Sequence, residues 1–145
     1  MTEIYPNSNI YIGDINTAQD RDFFINKNIQ SVINCTKDLP NYFSGVSYLR
    51  IPVNDSSSLD NNNTMELLLP KAVEFALMNS SQHGVLIHCQ GGVSRSATVC
   101  AAILRYRFFR TIRESTRHLQ NVRPVVFFYG TKLNFEHSLY NTFGE

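Results

Sequence analysis

The sequence predicts an α/β protein with a mainly parallel central sheet flanked by helices, and three observations carry that expectation. Short β-branched and apolar runs alternate with longer helix-like segments, the order that builds a parallel sheet covered on its faces. One such run, Val85-Leu86-Ile87-His88, leads through a glycine-containing loop into a long apolar-rich segment. The 145 residues are 43% hydrophobic and 12% aromatic, enough for a single domain over 1–145 whose core needs no disulfide.

Ile10-Tyr11-Ile12-Gly13 reads as a short strand closed by a glycine turn. Asn16 or Thr17 is placed to cap a helix running to about Lys27, with Ala18, Phe23 and Phe24 on its core face. Ile29 to Asn34 is β-branched and reads as a buried strand. Pro40, Asn41 and Gly45 punctuate a loop, and Tyr48 to Val53 forms the next strand. Asn54 to Asn63 is polar and reads as a surface loop. Asn63 or Thr64 then caps a helix to about Asn79 that carries Leu67, Leu68, Val73, Phe75, Ala76 and Leu77. Pro70 either kinks that helix or marks its true first turn. Val85 to His88 is the central strand, and helices follow at about Ser94–Phe109, Ile112–Asn121 and Thr131–Phe143.

The chemistry lies after the central strand, in His88-Cys89-Gln90-Gly91-Gly92-Val93-Ser94-Arg95-Ser96. A loop of this kind at the start of a helix turns several backbone N–H groups inward and makes an anion site. Arg95 adds a planar fork of donors that matches a tetrahedral oxyanion. A cysteine in such a positive field is stabilised as a thiolate, so the chemistry implied is attack on a phosphoryl group. Gly91 and Gly92 suit the curvature.

His-Cys-x5-Arg-Ser, after a hydrophobic strand and before a helix, resembles the signature of the cysteine-dependent protein tyrosine phosphatase superfamily. The form found here is most similar to the dual-specificity branch, and the resemblance covers nearly the whole chain from about Ile4. It implies a protein phosphatase acting on phosphotyrosine and phosphoserine or phosphothreonine through a cysteinyl-phosphate. Cys89 is then the nucleophile, while the N–H groups of Gln90, Gly91, Gly92, Val93, Ser94 and Arg95 hold the phosphoryl oxygens. Ser96 would stabilise the departing thiolate in the second step, or serve only as a polar residue at the helix start. His88 is expected to orient the loop and not to act as a base, because neighbours on a strand point to opposite faces. Asn34, at its strand end, resembles the supporting asparagine near the phosphate loop.

A leaving alkoxide or phenoxide needs a proton. Asp55 is the candidate acid, because it opens the polar loop where the resemblance places one, with Asp60 as runner-up. Asp14, Asp20, Asp22 and Asp38 read as turn or cap residues. Cys35 and Cys100 read as small core residues, with a disulfide to oxidised Cys89 as the alternative.

The remaining expectations concern surroundings. Arg95 to Lys132 holds eight basic residues against Glu114 alone, although the net charge is only +1. That half favours a phosphorylated or otherwise anionic partner, or is simply a solvated face. Similar phosphatases acting on phosphoinositides often carry lysines inside the loop, and by that resemblance the uncharged Gln90 to Ser94 argue against inositol phosphates. Gly91, Ser94 and Ser96 stand where similar phosphatases of RNA 5′ ends usually carry His, Asn and Thr, so nucleic acid is not the expected substrate; the basic half keeps an RNA 5′-phosphatase, beside a phosphoinositide phosphatase, as the alternative. A phosphate-binding module without turnover is the contrasting class, disfavoured because Cys89 and Arg95 are both present. No apolar run spans a bilayer, no secretory pattern opens the chain, and the three scattered cysteines fit a reducing compartment. The expected setting is therefore the cytoplasm, with the nucleus also open. No metal or cofactor is implied, since loop and arginine supply the positive charge. With no arm ahead of the first strand to exchange, a monomer is expected.

Overall fold

The computed structural model describes residues 1–56, 58–126 and 135–145. Its sheet has five strands, β1 (Thr2–Glu3), β2 (Ile10–Gly13), β3 (Ile29–Asn34), β4 (Ser47–Arg50) and β5 (Gly84–His88), in the order β1-β2-β5-β3-β4. All neighbours are parallel except β1, which runs antiparallel to β2 at one edge. β5 sits at the centre and every residue in it is buried, as its continuous apolar run requires.

The period of two along β5 divides the molecule. Val85, Ile87 and Cys89 face the larger core, beneath the helices α3 (Leu59–Ser80), α4 (Arg95–Arg107), α5 (Ile112–Val122) and α6 (Glu136–Phe143). Leu86 faces a smaller core with Tyr11, Phe23, Phe24 and Val32, covered by α1 (Ile15–Ala18) and α2 (Arg21–Asn26). Each fully buried Val, Leu or Ile contributes about 1.5–3 kcal/mol, and β5 places three in succession between the two layers.

Several boundaries differ from expectation for identifiable reasons. The predicted helix to Lys27 is two short helices, because Asp14 accepts from the Thr17 N–H and Asp20 from the Phe23 N–H, so each starts its own turn. The strand predicted to reach Val53 stops at Arg50, short of Pro52, which has no N–H for the ladder. Ile51 and Val53 are nevertheless buried. α3 begins at Leu59, not after Asn63, since Ser58 accepts from the Asn61 N–H. Pro70 lies inside it and neither starts nor ends it. An interior proline costs about 3 kcal/mol, which burial of Met65, Leu69, Ala72, Val73 and Ala76 offsets. Leu67 is exposed, on the side of the helix opposite that face. Thr131 to Asn134, the expected start of the last helix, lies outside the described residues.

Candidate active site

β5 ends at His88 and α4 begins at Arg95, and the six residues between them form a tight loop around Cys89. Cys89 is 2% exposed. Its Sγ accepts from the Gly92 N–H at 3.3 Å and lies 3.1 Å from Ser96 Oγ on the first turn of α4. The sulfur therefore faces both the loop interior and a helix N-terminus, where partial positive charge favours an anion. Ser94 occupies the cap position without capping α4 through its side chain, and its buried hydroxyl makes no hydrogen bond among the described residues.

Gly92 has φ +66°, and a Cβ there would stand 2.6 Å from Arg123 Nη2 and 2.8 Å from the Gly13 carbonyl oxygen. Only glycine meets both demands. The loop is also held from outside: the Ile15 N–H donates to the Gln90 carbonyl at 2.9 Å, and Arg123 Nε to the Gly92 carbonyl at 3.0 Å.

Arg95 donates through Nη1 to the Val53 carbonyl at 3.1 Å, whereas its buried Nε has no partner among the described residues. That bond ties the guanidinium to the segment leading to Asp55. Asp55, Asn54, Gln90 and Arg95 line one cleft of about 190 Å³ with Thr36, Lys37, Asp38 and Leu39. Asp60 is not part of this lining; it sits in the first turn of α3, where a carboxylate complements the helix dipole. Asn61 braces the Asp55 segment, accepting from the Asn54 N–H at 3.2 Å and donating to Ser56 Oγ at 2.6 Å.

Asn34, in register with His88, holds the turn that follows its own strand. Its Oδ1 accepts from the Thr36 N–H and hydroxyl, and its Nδ2 donates to the Leu39 carbonyl and Asn41 Oδ1. It shapes the opposite wall of the cleft and makes no hydrogen bond to the phosphate loop among the described residues. Arg50 clamps the same wall, donating to the Thr36 and Leu39 carbonyls at 3.0 and 2.8 Å.

His88 is buried, with Nδ1 3.3 Å from the Cys89 carbonyl oxygen. Burial lowers its pKa to about 4, helped by the Arg50 and Arg95 charges and opposed by the contact to Cys89 and by Asp14. It is therefore neutral at pH 7 and donates its Nδ1 proton to the carbonyl. Cys35 and Cys100 are fully buried, and burial raises both thiols well above the ordinary range. Cys35 follows Asn34, the register partner of His88, and so lies beside Cys89 on the same sheet face.

Sequence reasoning missed Arg123, Arg50, Asn61 and the Thr36–Leu39 wall. The wall alone had a local signal, since it follows the strand paired with β5. A groove of about 570 Å³ between α3, α4 and α6 is larger, but Pro70, Val73, Leu77 and Phe143 line much of it and no cysteine does. Among the described residues no cluster of three or more His, Cys, Asp or Glu side chains could hold a metal ion. Among them, too, no helix is long and apolar enough to cross a membrane.

The chain is 32% identical to human dual specificity protein phosphatase 9 over 139 residues, which are 90% of this chain and 35% of that protein. It is 33% identical to Drosophila melanogaster dual specificity protein phosphatase Mpk3 over 121 residues, 81% of this chain and 28% of that one. It thus spans about a third of the length of the curated relatives it matches. The crystal structure of human DUSP28 superposes with a TM-score of 0.81 at 22% identity, covering 99% of this chain and 96% of the other. A mouse putative dual specificity phosphatase complexed with zinc tungstate gives 0.80 at 25% identity, covering 99% and 86%. Residues 10–143 match the family model "Dual specificity phosphatase, catalytic domain". By that match the chain belongs to the dual-specificity phosphatases.

Proposed function

We propose that this chain is a protein phosphatase that hydrolyses phosphotyrosine and phosphoserine or phosphothreonine through a cysteinyl-phosphate. The observation that carries the reading is the Cys89 sulfur, held between the Gly92 N–H and Ser96 Oγ at the head of α4. In the first step the Cys89 thiolate attacks phosphorus, the S–P bond forms and the P–O bond to the substrate breaks. The leaving oxygen takes its proton from Asp55, which shares the cleft with Arg95. Loop N–H groups and the Arg95 fork stabilise the charge spread over the equatorial oxygens. In the second step water attacks phosphorus and gives its proton to the Asp55 carboxylate. The S–P bond breaks, and the Ser96 hydroxyl donates to the departing thiolate.

The small cleft suits a phosphoryl group on a short side chain, and the relatives' names support both substrate types. Buried free cysteines support a reducing setting, the cytoplasm or nucleus. We read the working form as a monomer with a phosphoprotein substrate and no nucleic acid.

The test is phosphate release from an aryl phosphate, phosphopeptides of each type, phosphoinositides and triphosphorylated RNA, with Cys89→Ser as control. Turnover of both peptide types, abolished in Cys89→Ser, is the expected result. Turnover of RNA or phosphoinositide alone would replace the protein substrate, and no turnover at all would leave a binding module.

A further inference from the structure

We propose that Arg123 is a positioning residue for the reaction, which sets the Gly92–Val93 peptide from outside the phosphate loop and so aims the Val93 N–H at the transferring phosphoryl group. The proposal deepens the phosphatase reading and rests on it. Arg123 is the C-terminal cap of α5; its backbone N–H donates to the Leu119 carbonyl and its half-buried side chain turns back under the loop. Nε donates to the Gly92 carbonyl at 3.0 Å, and Nη1 to Thr2 Oγ1 on β1 at 3.3 Å. The guanidinium thus has two anchors, and Nη2 occupies the space a Gly92 side chain would need.

The consequence follows from peptide geometry. In a trans peptide the C=O and the following N–H point in opposite directions. Drawing the Gly92 carbonyl outward to Arg123 therefore turns the Val93 N–H inward. The Ile15 N–H, bonded to the Gln90 carbonyl at 2.9 Å, does the same for the Gly91 N–H. The two clamps differ in charge. An ionised donor on a carbonyl polarises the whole peptide and strengthens its N–H as a donor. Arg123 also places a permanent positive charge beneath the loop, felt at Asp14 on the far side of Gly13 and at the Cys100 thiol.

The test uses Arg123→Met, Arg123→Lys and, as a control for charge alone, Arg117→Met on the exposed face of α5. Inorganic phosphate is the probe, its affinity read from protection of Cys89 against alkylation by iodoacetate. Turnover of an aryl phosphate is followed from pH 5 to 8 beside it, with Tm for each variant. Removing an oxyanion donor outright costs about a hundredfold or more in kcat; misaiming one should cost about tenfold in phosphate affinity and in kcat. Arg123→Met should show that loss at temperatures well below its Tm. Arg123→Lys, which keeps the charge but cannot hold both anchors, should recover part of it, and Arg117→Met should match wild type. Wild-type phosphate affinity in a folded Arg123→Met protein overturns the proposal, whatever its Tm. An equal loss in Arg117→Met also overturns it, since remote charge would then suffice. Should Arg123→Met fail to fold, Arg123→Lys decides: wild-type affinity and kcat overturn the proposal, and a loss in either at unchanged Tm supports it. Phosphate failing to protect wild-type Cys89 would instead sink the phosphatase reading, and that outcome needs no turnover to detect.

Discussion

Replacing His88 with asparagine should flatten the acid side of the stability profile. The imidazole is 1% exposed, and burial, with Arg50 and Arg95, lowers its pKa from 6.5 to about 4. The unfolded chain therefore binds a proton that the native protein refuses, and between these values stability rises with pH. Above pH 7 the two states carry the same charge on this ring and no penalty applies. From pH 7 to pH 5 the unequal protonation costs about 2 kcal/mol, and by pH 4 about 3 kcal/mol, from 1.36 kcal/mol per pH unit. The asparagine side chain would set an amide N–H near the position of Nδ1, keeping a donor for the Cys89 carbonyl while removing the titration. The truncated ring costs stability at every pH, so the informative quantity is the difference between the two profiles. Urea unfolding of both proteins at pH 7.5, 6.5, 5.5 and 5.0 measures it. The profiles should converge as pH falls, by about 2 kcal/mol between the extremes. Parallel profiles would refute the claim that His88 is buried neutral.

Three further outcomes are expected at the loop and cleft. Gly92→Ala should lower Tm and nearly abolish turnover, since the left-handed backbone costs about 1–2 kcal/mol and the new Cβ meets Arg123 and the Gly13 carbonyl; near wild-type kcat and Tm would contradict the geometry. Ser96→Ala removes the hydroxyl 3.1 Å from the sulfur, and losing a hydrogen bond to a charged group is worth about 1.5–3 kcal/mol. Breakdown of the cysteinyl-phosphate should slow about ten- to hundredfold, seen as a burst of aryl product in stopped flow; a fall in kcat without a burst would place Ser96 in the first step. Asp55→Asn should slow phosphopeptides far more than an aryl phosphate with a good leaving group, because the latter needs little protonation. Equal slowing on both would take Asp55 out of the acid role.

Legibility followed the range of the interactions. Strand β5 was readable because five consecutive buried residues leave a continuous apolar run, and α5 because Thr111 and Glu114 close a capping box within one turn. The start of α3 was misplaced because Ser58 and Asn63 are both acceptable caps, and only the bonds from Asn61 to Asn54 and Ser56 favour the earlier start. Asn34 was readable as a strand-end residue that matters; which segment its amide would hold was not, since the Thr36–Asn41 turn is held by Asn34 together with Arg50 from the neighbouring strand.

By itself the sequence determined the chemistry of the strand-loop-helix unit. Cys89, Arg95 and Ser96 lie within eight consecutive residues, and the strand and helix on either side constrain that segment to curl around an anion. Tertiary structure decided what presses on that unit. Arg123 reaches Gly92 from 31 residues away, and Arg95 reaches Val53 from 42 residues away. Asp55 joins the cleft only because β4 and β3 lie beside β5 in the sheet. Local backbone preference and hydrophobic period act over a turn or a strand and are written in neighbouring residues. Contacts between distant segments depend on how the layers pack, and no spacing in the chain records them.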